Sequence, residues 1–140
     1  MSAIEDSTAS LSFFGQDLDV DEITRLLGCA PTSVRRRGSP YSQSHPEVLS
    51  RFSAWHLESA LPRSETLETQ IGSLLDQLPD DLQMWHELTA RYDARAFCGI
   101  FMEVWNEGFS LTPKLMQRLA ERGLRVEFDI YAPIHKEGDE

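Results

Sequence analysis

Cysteine is nearly missing from this chain: 140 residues carry only Cys29 and Cys98. Their separation fits neither a zinc site nor a redox motif, so free thiols in a reducing cytoplasm are expected. Long apolar runs are also missing. No stretch approaches the roughly 20 residues that a membrane helix requires. The acidic start, Met1-Ser2-Ala3-Ile4-Glu5-Asp6, has no signal-peptide core, and the expectation is a cytoplasmic protein. Basic residues are scarce, 13 against 23 acidic, for a formal net charge of −10. That shortage argues against non-specific nucleic-acid binding and against an anionic membrane surface. No catalytic motif is found, so no catalytic residue, metal ligand or cofactor is assigned.

Enough remains to build a core. Hydrophobic residues are 41% and charged residues 26%, which excludes wholesale disorder. A chain of this size buries about two-thirds of its unfolded surface without a metal or disulfide staple. One domain is expected over residues 10–132, between a frayed segment 1–9 and a polar tail 133–140.

Leu11 to Phe14 reads as a short strand. Asp19 then caps a helix, with Glu22 placed to reach back and Leu18 and Ile23 placed as a hydrophobic staple. Leu26 and Leu27 extend its apolar stripe, and Gly28 stops it. Residues 30–52, rich in Ser, Pro and Arg, read as a long loop with a short strand near Val34. Ser53 to Glu58 alternates as a strand, with Trp55 and Leu57 on one side and His56 and Glu58 on the other. Ser64 is the expected cap of a second helix, and Pro79-Asp80-Asp81 starts a third. Ala94 to Trp105 reads as one long strand, apolar on both faces, as a central strand would be. Thr112-Pro113 opens a last helix carrying Leu115, Met116 and Leu119. Leu124, Val126, Phe128 and Ile130 then alternate with polar partners as a half-buried strand.

Two strand–helix–strand units emerge, and their capped helices align without a gap: Ile23, Arg25 and Leu26 over Met116, Arg118 and Leu119. Duplication and chance recurrence of cap signatures both account for the match. The fold class read from these elements is α+β: a mainly antiparallel sheet of about four strands with helices on one face. A split, ferredoxin-like sandwich is the specific version.

Charge is uneven. Residues 31–63 hold five arginines against Glu47 and Glu58, while the remainder is strongly acidic. Arg35, Arg36 and Arg37, beside Gly38, have the forks and the turn for a phosphate or carboxylate, with Trp55 nearby in the expected sheet. The competing reading, the preferred one, is that these arginines pair with acids of the same chain. His56 and Glu58 share a strand face but have no third ligand at a fixed spacing. Cys98 beside Gly99 reads as a small buried hydrophobe. A second candidate surface holds Phe97, Phe101 and Trp105, with Tyr131 on the neighbouring strand. An aromatic centre with a polar rim suits an interface. Covering by loop 30–52 or by a second copy is the preferred reading there.

Several landmarks recur in one order in a known family: Asp19, Glu22-Ile23, Leu26-Leu27-Gly28, Pro31-Thr32, Arg37-Gly38, Trp55 and Phe128-Asp129-Ile130-Tyr131. On these the chain resembles the small bacterial proteins grouped as domain of unknown function 4279, over nearly all of residues 10–132. The resemblance implies a free-standing bacterial cytoplasmic protein and carries no catalytic residues. The functional expectation is a non-enzymatic module that self-associates as a homodimer or engages one protein partner. An immunity-like role, in which the acidic body neutralises a basic toxin, is its specific form. The alternative is a binder or enzyme for a small anionic ligand held by Arg35–Arg37.

Overall fold

The computed structural model describes residues 2–134. In chain order the elements are β1 (Ser2–Ala3), β2 (Ser7–Gly15), α1 (Val20–Leu27), β3 (Ser33–Arg35) and β4 (Ser53–Glu58). There follow α2 (Leu67–Asp76), α3 (Leu82–Arg91), β5 (Asp93–Phe101), β6 (Glu107–Gly108), α4 (Pro113–Glu121) and β7 (Arg125–Tyr131). Five strands form one sheet in the order β3-β4-β2-β5-β7, and β1 with β6 forms a small parallel pair.

Alternation along each strand sends one set of side chains to the helices. Ala9, Leu11 and Phe13 of β2, Trp55 and Leu57 of β4, and Ala94, Ala96, Cys98 and Ile100 of β5 join one core with the apolar stripes of all four helices. Trp85 of α3 stacks on Phe13, and Trp55 meets Phe13 edge-on. The helices therefore cover one face only, as expected.

The sheet is mixed. β2 pairs antiparallel with both β4 and β5, but β5 and β7 run parallel, joined by the crossover through α4. The two strands of each strand–helix–strand unit are also direct neighbours. A split arrangement would place a strand between them, and the order here has none.

Local chemistry sets the helix ends. The Asp19 carboxylate accepts hydrogen bonds from the Asp21 and Glu22 N–H groups, and Gly28 closes α1 in the left-handed region at φ 64°. Glu22 does not reach back to complete the box; its carboxylate pairs with Arg91 at 2.9 Å. Thr66, not Ser64, caps α2, which brings Leu67 into the core as the first helical residue. Thr112 caps α4 with Pro113 behind it, but Met116 faces outward while Leu115 and Leu119 are buried.

Two strand boundaries differ from expectation. β2 starts at Ser7, so the frayed segment does not extend to residue 9: Ser7 and Ala9 are buried, and Ser2–Ala3 pairs with Glu107–Gly108. β5 stops at Phe101 and does not continue to Trp105. The Met102 N–H makes the last bond to the Tyr131 carbonyl. The Glu107 carboxylate then takes the N–H groups of Glu103 and Val104, curling the chain into a turn. Of the expected C-terminal tail, residues 135–140 lie outside the described residues.

Candidate functional site

Among the described residues the second face of the sheet carries no helix, and pairing register arranges its side chains in rows. One row runs Ser33, His56, Ser12, Arg95, Arg125 across five strands. The next runs Glu58, Ser10, Phe97, Glu127, and beyond it Phe101 stands beside Tyr131. On the other side of the first row, Arg35, Ala54, Phe14 and Asp93 line up.

At three places on or beside this face an arginine guanidinium sits over an aromatic ring. The Arg95 guanidinium is 4.4 Å from the Phe14 ring centre, Arg63 is 4.2 Å from Phe101, and Arg35 is 4.3 Å from Tyr41. Each is held from a second side. Arg95 pairs with Glu127, which also takes Arg125 at 3.1 Å. Arg63 bonds Asp6 at 2.6 Å, and Arg35 donates to the Tyr41 carbonyl. Phe101 stacks on Tyr131 with ring centres 4.9 Å apart and planes 3° from parallel. Rings and forks fixed in this way lose little side-chain freedom on meeting a partner.

The expected interface residues Phe97, Phe101 and Tyr131 thus share one face, with His56, Glu58, Arg125, Glu127 and Asp129 around them. Trp105 does not join them. It lies in the turn after β5 and is 76% exposed. Loop 30–52 does not close over the patch either: its Phe52 reaches only the Phe14 corner, at 6.1 Å. Phe14, Arg63 and Arg95 belong to the surface but were not legible as such. Phe14 hides in the apolar run Leu11–Phe14, where only the alternation Ser10, Ser12, Phe14 separates it from the core set.

The four expected ligand-binding residues do not converge. Arg36 makes a forked contact with Asp21 at 3.2 and 3.3 Å, and Arg37 meets Asp17 at 3.4 Å. The basic segment therefore docks on the acidic body at α1 and the turn before it. The Arg36 guanidinium holds the Asp21 carboxyl below its ordinary value. Arg35 alone turns to the open face. Trp55 is on the opposite side of the sheet and fully buried, its indole N–H donating to Thr24 Oγ1 at 3.0 Å. It is a core residue and is withdrawn as a ligand contact.

His56 is half-buried between Ser12, bonded at 2.8 Å, and the Phe14 ring. Burial lowers its pKa from the usual 6.5, the Arg35 and Arg95 charges add to this, and Glu58 opposes them. The unfolded chain therefore takes up this proton more readily than the folded one. Stability from His56 is whole above about pH 6.5 and is lost as pH falls from there toward the depressed folded value. Melting temperature followed from about pH 7.5 to 5.5 should fall more steeply in the parent than in His56→Gln. Parallel curves would refute the assignment.

Cys98 faces the helix layer, and burial pushes its thiol up to about 12, which removes it as a nucleophile at neutral pH. Among the described residues no three His, Cys, Asp or Glu side chains gather as a metal set. No helix among them is long and apolar enough to cross a membrane.

Comparison with curated proteins and with solved structures returns no match. The family model described as "Domain of unknown function (DUF4279)" matches residues 5–133, nearly the whole chain, and the protein belongs to that family.

Proposed function

We propose that this is a bacterial, cytoplasmic, non-enzymatic protein-interaction module, and that its helix-free sheet face is the contact surface. One observation carries the reading: Phe14, Phe97, Phe101 and Tyr131 share that face with Arg35, Arg63 and Arg95, and among the described residues no helix packs over them. Aromatic and arginine side chains are the types that dominate binding energy at protein interfaces. Acids alternate with the arginines, so the face suits a folded partner of mixed charge better than a polyanion. A small-anion site built on Arg35–Arg37 has lost two of its three arginines to Asp21 and Asp17.

Affinity capture on the purified protein tests this. A partner held by the parent and by Met116→Ala, on the helix side, should be lost with Phe97→Ala and with Phe101→Ala. Melting curves must show that all three variants are folded. Capture that survives both sheet-face changes would overturn the reading. Salt separates its immunity-like form from the rest: binding to a basic partner weakens sharply at high ionic strength, whereas salt-insensitive binding would count against it.

A further inference from the structure

We propose that β7 is the pairing edge of a homodimer, in which two copies join antiparallel about a two-fold axis at Glu127. Their sheets would run on as a single sheet of twice five strands. This inference is independent of the sheet-face reading, because it rests on the strand edge.

The sheet has two edges and they are not alike. β3 is three residues long and follows Pro31, and its Arg35 is tied to Tyr41. Short, shielded edges of this kind resist pairing. β7 is seven residues long, contains no proline, and among the described residues nothing bonds its outer edge. Phe128 is 42% exposed and Ile130 is 56% exposed, and the Phe128 ring centre lies 5.4 Å from that of Phe109. An unpaired backbone edge with exposed apolar flanks is a template for another strand.

Charge complementarity across the two-fold axis favours a second copy as the occupant. Arg125, Glu127 and Asp129 lie on the open face of β7. Asp129 has no cationic partner among the described residues; it accepts only the Tyr131 hydroxyl. In an antiparallel pair centred on Glu127, Arg125 of each copy stands opposite Asp129 of the other. On the opposite face Val126 meets Phe128 and Leu124 meets Ile130, apolar against apolar. The two central Glu127 carboxylates are each already matched by Arg95 and Arg125 of their own chain. Centring on Phe128 would instead set Glu127 against Asp129 twice, and like charges directly opposed destabilise a strand pair. A second copy therefore fits this edge in the Glu127-centred register with each Arg125 facing an Asp129.

Sedimentation of the full chain over a concentration series tests the proposal. The parent should be dimeric, and Asp129→Arg and Arg125→Asp should each weaken the dimer by about tenfold or more. Mixed in equal amounts, the two variants should re-associate, because both 125–129 cross-strand pairs are then opposite in sign. Since Arg125→Asp also removes contacts to Asp93 and Glu127, circular dichroism must show it folded. Ile130→Lys, which touches no ion pair, provides a second route to the monomer. A monomeric parent overturns the proposal, as does a dimer unaffected by all three changes, or a mixture that stays monomeric. Phe97→Ala should leave the dimer intact, so failure of the edge and failure of the sheet face are read separately.

Discussion

Replacing Trp55 with alanine should destabilise the protein by about 3–5 kcal/mol, the range for deleting a large aromatic from a packed core. The indole has no exposed surface and lies between β4 and α1, edge-on to Phe13 at 5.9 Å. Its N–H donates to Thr24 Oγ1, whose hydroxyl donates onward to the Val20 carbonyl inside α1. Truncation therefore opens a cavity and unties α1 from the sheet. Against a typical total of about 5–15 kcal/mol, that is about a fifth of the stability or more. Urea unfolding measures it directly, and Trp55→Phe, which keeps most of the ring, should cost about 1–2 kcal/mol. A loss below about 1 kcal/mol for Trp55→Ala would reject the core assignment.

Gln70→Leu should cost about 1–3 kcal/mol although leucine is close in size and adds apolar surface. Gln70 is 1% exposed, and its amide nitrogen lies within bonding distance of the Ser7 carbonyl, the Ser7 hydroxyl and the Glu65 carbonyl. The reason is where β4 ends. Glu58 pairs with Ser10 and Ser59 donates to the Ala9 carbonyl; beyond that point β4 has left the sheet, while β2 continues to Ser7 beside β5. The Ser7 N–H finds the Arg63 carbonyl, and its C=O finds Gln70. Leucine leaves the buried Ser7 carbonyl without its donor, and an unsatisfied buried group costs about 1–3 kcal/mol. The expected signature is a lower urea midpoint together with faster amide exchange at the start of β2. Unchanged stability would mean that water or a backbone shift replaces the amide.

The two proposals for association occupy different parts of the molecule and respond to different substitutions. The sheet face is built from rings and forks already fixed by partners of the same chain, as in Arg63 between Phe101 and Asp6. The β7 edge is built from backbone, with charges that decide register. One chain can therefore pair with itself at the edge and still present its face to a different protein.

Short-range rules made much of this legible. Caps at Asp19 and Thr112, the stop at Gly28, and the period-two runs in β4 and β7 depend on neighbours a few residues apart, so pattern alone located them. Alternation also placed Phe97 and Phe101 opposite Cys98 and Ile100, which grouped half of the candidate surface correctly. Pairing between distant segments was not accessible in the same way. Nothing near Ser7 announces that Gln70, 63 residues later, completes its backbone, so β2 looked shorter than it is. Trp55 has the composition of a ligand contact, and only the choice of face made it core. Arg36 and Arg37 look like an anion site until α1 brings Asp21 and the turn brings Asp17 beside them. Periodicity states that a strand has two faces and a helix has one stripe; which face is buried, and which charges meet, follows from how the whole chain closes its core.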